Sequence, residues 1–157
     1  MNSSRIEHVF ENDNFARSMW KGFLAPDIVL NGHPKPPFPH LYILNTSPSF
    51  TSGEHWCAVF VFRDFCEFFD SYGNPPEFFG LSGSLFQHCP KVISNPQKVQ
   101  AFSSLTCGHH CLYYSLMRAR GHCLSQILST YTDNCFLNDD MVFNWVVHNF
   151  GREVAEI

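Results

Sequence analysis

The spacing of apolar positions changes character along the chain, and each change marks an element. Over residues 4–24, Ile6, Val9, Phe10, Met19, Trp20 and Phe23 recur at helix-like intervals, which predicts one or two short helices lying as a lid on the core. The stretch His33-Pro34-Lys35-Pro36-Pro37-Phe38-Pro39-His40 can be neither helix nor central strand, because four prolines remove donors and force extended geometry. It reads as a stiff connector rather than a PxxP ligand for an aromatic groove. Leu41–Asn45, His55–Phe62 and Cys66–Asp70 are rich in aromatic and β-branched residues and bounded by turn chemistry, the mark of strands. A short link around Arg63-Asp64-Phe65 makes the last two an antiparallel hairpin, and Ser71-Tyr72-Gly73-Asn74-Pro75-Pro76 ends it abruptly. Further strands are expected near Lys91–Ile93 and Val99–Phe102.

Helical spacing then takes over. Cys107–Arg120 is stopped by Gly121, and Leu124–Tyr131 is shorter. Asp139–Asn149 has Asn138 as its expected N-cap, two aspartates in its first turn and Gly151 beyond its end. Within it, Met141, Val142, Trp145 and Val146 form a packing stripe. Strands first and helices afterwards predict an α+β fold, a mixed β-sheet with flanking helices, rather than a doubly wound parallel sheet. No internal repeat or low-complexity tail divides residues 1–157, so they read as a single domain.

Composition sharpens this picture. Hydrophobic residues make up 45% of the 157, charged residues only 15%, and 17 are Phe, far from the composition that keeps chains disordered. The net charge of −4, with 10 Lys+Arg and no basic run, leaves nucleic acid as a weak partner or none. The longest apolar run, Cys57–Phe62, is too short to cross a bilayer. Without a basic and apolar leader at residues 1–8, the expectation is an intracellular rather than a secreted protein, with its 7 Cys as thiols. No CxxC pair is present, which turns attention to one reactive thiol among inert ones.

Cys107 is that thiol. It follows the small polar segment Ser103-Ser104-Leu105-Thr106 and opens a helix, whose N-terminus favours a thiolate, and Gly108 permits close backbone approach by a substrate carbonyl. A small apolar residue packed at a helix start is the plain alternative. Among nine His, His55 is placed at the start of a strand after the turn Thr51-Ser52-Gly53-Glu54, and Asp70 ends the following strand near the same sheet edge. An ideal two-residue turn is expected to leave the pair about four positions, or about 13 Å, out of register, so a bend or twist is required to join them. Otherwise His55 is a surface residue at a turn, and Asp70 caps the Asp70-Ser71-Tyr72-Gly73 turn.

With Gln100 and Cys107-Gly108 added in this order, the sequence resembles the adenovirus protease, adenain, and the related cysteine proteases of adenovirus-like and Polinton-type elements. The resemblance runs through Ile43-Leu44-Asn45-Thr46, Gly53-Glu54-His55-Trp56, Phe68-Phe69-Asp70-Ser71-Tyr72-Gly73, Val99-Gln100 and Cys107-Gly108-His109-His110-Cys111. It implies the adenain and ubiquitin-like-protease type of fold, with His55 as the base paired to the Cys107 thiolate, Asp70 orienting the imidazole, and the Gln100 amide in the oxyanion hole beside the Cys107 N–H. Trp56 would wall the cleft and, with Gly108, contact substrate. Gln97 is the weaker oxyanion candidate, and His109 or His110, past the nucleophile on the helix, the poorer base. Cys89, eighteen residues before Cys107, stands at the offset of the cysteine that bonds adenain's peptide cofactor.

The resemblance further implies a monomeric endopeptidase of the host nucleus, cytoplasm or virion that cuts viral or mobile-element structural precursors at Gly-containing sites. Its chemistry needs no cofactor, although an activating peptide is implied; the acidic charge argues against activation by DNA. Alternatives are a protease that deconjugates ubiquitin-like modifiers and a non-catalytic binding module. Cys107, Cys111, His122 and Cys123 could also be read as a zinc cluster, but they lack tight CxxC-like knuckles, so no metal is expected. Cys57, Cys66, Cys111, Cys123 and Cys135 read as core thiols, and the Phe-rich strand face as core.

Overall fold

The structure, a computed structural model, describes residues 1–27, 34–47, 55–81, 86–87 and 89–156. The expected turn at 51–54 and His33 lie outside them. Five strands form one mixed sheet in the order β1-β2-β3-β4-β5: β1 Trp20–Leu24, β2 His40–Asn45, β3 Trp56–Val61, β4 Cys66–Phe69 and β5 Val92–Ser94. The two outer pairings are parallel and the two inner ones antiparallel. The α-helices are α1 Ser3–Asn12, α2 Cys107–Ala119, α3 Leu124–Leu128, α4 Cys135–Phe150 and α5 Arg152–Ala155, with a 3₁₀ turn at Pro76–Phe79. This is the α+β architecture that the order of strands and helices predicts.

Central β3 is apolar on both faces because both are covered. Ala58 and Phe60 join Phe69, Leu112, Tyr114, Leu116, Val142 and Val146 in the larger core, beneath the helices. Cys57, Val59 and Val61 join Phe68, Leu81 and Phe86 on the opposite face. The helix that carries Cys107 is fixed to the sheet by a buried polar link. Glu67 of β4 accepts from Arg118 at 2.8 Å and 3.2 Å and from the Tyr114 hydroxyl at 2.5 Å, and the Tyr114 ring stacks on Phe69 at 4.4 Å. Arg120 reaches Asp13 at 2.6 Å, closing α1 against the far end of α2.

Several expectations are corrected. Trp20–Leu24 is an edge strand, not a helix: Gly22, at φ +115°, interrupts any helix and shifts the register of β1 against β2, while Trp20 and Phe23 still pack on the core. Val99–Phe102 is a loop, not a strand. Its backbone donors find other partners: Val99 and Gln100 donate to the Ser71 carbonyl, and Ala101 donates to Asp139. The last long helix starts at Cys135, four residues before Asp139, with Asn134 as its N-cap. Asn138 is inside the helix, buried, donating to the carbonyls of Val99 and Thr132. The second helical signal stops at Leu128, short of Tyr131. Cys66, expected as a core thiol, is disulfide-bonded to Cys89 across a Cα separation of 5.8 Å, leaving five free cysteines.

Candidate active site

The link between β3 and β4 is the two-residue turn Arg63-Asp64, since Phe62 N–H donates to Phe65 O at 2.9 Å. With Ala58 opposite Phe69, the same register one step on sets Cys57 opposite Asp70. His55 is therefore two residues from the position facing Asp70, about 7 Å along a strand rather than 13 Å, a diagonal that a long side chain spans. The register alone closes the gap, without a bend. His55 Nε2–H donates to Asp70 Oδ1 at 2.5 Å.

Asp70 is fully buried and held on every side. Oδ1 also accepts from Tyr72 N–H, and Oδ2 accepts from the Asn74 backbone and side chain. Asn95 bonds both its N–H and its carbonyl. Asp70 thus caps its turn and orients His55 at once. The turn closes tightly because Gly73 has φ +76° and abuts the backbone of Gln97 and Lys98, where a Cβ would meet atoms at 3.0 Å. Tyr72 stacks on the imidazole at 5.0 Å. Sequence reasoning missed Asn74, Asn95 and Tyr72. The turn composition signals Asn74, but nothing local signals Asn95, which is 25 residues from Asp70.

Cys107 opens α2 beside His55, whose imidazole favours its thiolate; with Nε2 turned to Asp70, Nδ1 is the ring nitrogen left for the thiol. Burial opposes ionisation of Cys107, but the bond to His55, the imidazolium charge and the backbone N–H groups of Trp56 and Gly108 outweigh it and bring the thiol below its ordinary range. Burial likewise lowers His55, yet its bonds to Asp70 and Cys107 and their charges raise it to about 9. The two shifts favour a thiolate–imidazolium pair.

Gln100 is buried, and its amide is occupied. Oε1 accepts from Ser71 Oγ at 2.5 Å, and Nε2 donates to Ser104 O and Ser104 Oγ at 3.0 and 3.1 Å. Asn95 donates to the carbonyl of Gln97. The Trp56 indole N–H donates to the Met1 carbonyl, and Met1 lies against Gly108, whose Cβ would meet it at 3.0 Å. His109 bonds Ala155 O and His110 bonds Asp139, so neither faces the thiol as a base. Cys89 is bonded to Cys66 and is not a free thiol for a peptide cofactor.

Cys107, Cys111, His122 and Cys123 do not converge. Cys111 is buried against the Trp56 carbonyl, and Cys123 is exposed beside Ser125. The one metal-like grouping among the described residues is His55, Cys57 and Asp70, whose ligand atoms lie within 4.8 Å of one another. Burial and the neighbouring Asp70 charge hold the Cys57 thiol well above its ordinary range, and Asp70 Oδ1 is already engaged by His55 and Tyr72. Among the described residues no helix is long and apolar enough to cross a membrane.

No protein-family model matches the chain, and no curated protein does. Among solved structures it is similar to a protease of ASFV, at 24% identity over 69% of this chain and 43% of that one, with a TM-score of 0.44. It is also similar to the Rickettsia bellii effector protein RickCE, at 14% identity over 73% of this chain and 48% of that one, with a TM-score of 0.43. The chain spans less than half the length of either protein.

Proposed function

We propose that the chain is a cysteine endopeptidase of the adenovirus-protease type, cutting structural precursor proteins at Gly-containing sites. The observation that carries this reading is the hydrogen bond from His55 to Asp70 at 2.5 Å, with Cys107 at the start of α2 on the imidazole's other side. The Cys107 thiolate attacks the scissile carbonyl carbon to give a tetrahedral oxyanion. The His55 imidazolium then protonates the departing amine, leaving a thioester. Neutral His55 next takes a proton from water, which attacks the thioester and frees the acid and the thiol. Asp70 keeps the ring oriented throughout.

Gln100 would serve the oxyanion by turning one Nε2–H from the Ser104 hydroxyl, which keeps Thr106 Oγ1 as a partner at 2.9 Å. The bond from Ser71 holds the amide during that exchange. Trp56 walls the approach to the thiol and Gly108 leaves room only for backbone beside it, so a glycine beside the cut, which presents no Cβ, passes most easily.

A thiol-directed peptide electrophile ending in Gly-Gly tests the reading. Labelling confined to Cys107 among the five free cysteines, together with cleavage of a Gly-Gly peptide that Cys107→Ala abolishes, supports it. Indiscriminate labelling, or equal loss from Cys111→Ala, overturns it in favour of a binding module.

A further inference from the structure

We infer that the trough between the 98–103 loop and the start of α4 binds the substrate polypeptide outside the cleaved bond, taking an extended segment that carries an apolar or aromatic side chain. This rests on the reading of Cys107 as the nucleophile. The trough is a cavity of about 650 Å³, with Lys98, Phe102 and Ser103 on one wall and Asp133, Cys135 and Phe136 on the other. That volume suits several residues of extended chain.

Its anchor is Phe102. This ring is 81% exposed, a costly position for a large apolar side chain, yet it is not loose. It stacks on Tyr72 at 5.6 Å and 19°, and the Lys98 ammonium is 3.4 Å from its centroid. An exposed aromatic already packed between two neighbours gives up little entropy on binding. Across the trough Phe136 is 65% exposed. Two exposed rings lining one cavity mark an interaction site.

Continuity identifies the occupant. His55 stacks on Tyr72 and Tyr72 on Phe102, so one run of rings leads from the imidazole to the trough wall. Gln100, which would hold the oxyanion, is separated from Phe102 only by Ala101. A polypeptide whose carbonyl lies at Cys107 must leave across the walls of the site, and this wall offers it an apolar surface. Lys98 and Asp133 bring one charge of each sign, which fits a peptide backbone rather than a polyanion.

The test uses the full chain and quenched peptides. A short Gly-Gly peptide is compared with versions extended on both sides, in which one Phe is walked through the added positions. At the favoured position the long-to-short ratio of kcat/KM should fall roughly tenfold in Phe102→Ala and in Phe136→Ser, chiefly through KM, the effect of losing one moderate hot-spot contact. An unchanged ratio overturns the inference. A readout independent of catalysis uses Cys107→Ala: the long peptide, but not the short one, should slow alkylation of Cys135 and leave exposed Cys123 unaffected.

If Cys107 is not selectively labelled and neither peptide is cut, the protease reading fails, and protection of Cys135 alone decides the trough. Equal protection by both peptides, or none, overturns it. So does a concentration-dependent dimer that Phe136→Ser disperses, which would make a second copy the occupant.

Discussion

Two histidine–aspartate pairs lie at opposite ends of one hydrogen-bonded region, and they behave in opposite ways. His55 meets Asp70 at 2.5 Å and His110 meets Asp139 at 2.8 Å, each through Nε2. What differs is the other ring nitrogen. Nδ1 of His55 is left for the Cys107 thiol, a group that can take up charge, and the imidazole is raised to about 9. Nδ1 of His110 meets the Tyr131 hydroxyl, 3.2 Å away, and burial lowers this ring despite the help of Asp139.

Asp139 itself is lowered, burial opposing this but the bonds from His110, Thr106 and Ala101 N–H prevailing. The second pair is thus a neutral imidazole donating to a carboxylate. Through Thr106 and Ala101 it ties down the loop between Gln100 and Cys107. A carboxylate behind a histidine therefore makes neither a base nor an acid; the group in front decides.

The comparison breaks most sharply by removing each histidine. His55→Ala should lower peptide cleavage by roughly 10⁴-fold, and the pH dependence of Cys107 alkylation should move up into the ordinary thiol range. His110→Ala should leave that profile in place and cost about 1–3 kcal/mol of stability, the usual penalty of removing one partner of a buried hydrogen bond, read by urea denaturation. A shifted alkylation profile in His110→Ala would place both pairs in one titrating unit.

The next effect is on Gln100, which lies between the pairs. Gln100→Ala should reduce kcat roughly 10²–10³-fold with KM little changed; a change confined to KM would make it a ground-state contact. Asp70→Asn should lower kcat by roughly 10²-fold, at the lower end of acid–base effects, without erasing activity. Full activity would return Asp70 to turn capping alone.

The smallest effect is one of pH. Cleavage should decline above about pH 9, as His55 loses the proton the leaving amine needs, while alkylation of Cys107 by iodoacetamide does not decline. His110 has the opposite sign. Its folded pKa lies below the unfolded value, so below about 6.5 the unfolded chain binds more protons. Stability present above that value is then lost as pH falls, whereas the His55 contribution is full below about 6.5 and is lost as pH rises through about 9. Denaturation midpoints against pH in His110→Asn and wild type separate the two.

What could be read from sequence was whatever depends on neighbours. The β3–β4 hairpin, the start of α2 at Cys107 and the Gly151 stop all rest on local turn and cap chemistry. The edge strand Trp20–Leu24 escaped because Met19, Trp20 and Phe23 fit either period, and pairing with β2 decides between them. The loop at 99–102 reads as a strand because Val99 and Phe102 have strand propensity. Partners at Ser71, Asn138 and Asp139, distant in sequence, override it. The same long-range bonds set Gln100, so its place was visible only as spacing to Cys107. The Cys66–Cys89 bond has no local signature at all.

The contact of Met1 with Trp56 and Gly108 bears on how the protein is handled. Any polypeptide joined ahead of Met1 starts beside Cys107, which meets it at the millimolar effective concentration of a short tether. If Cys107 is the nucleophile, as proposed, an affinity tag placed there would be a covalently attached competitor whose occupancy does not fall on dilution. Activity recovered when such a tag is cut away would report the vacating of the cleft rather than any change in folding.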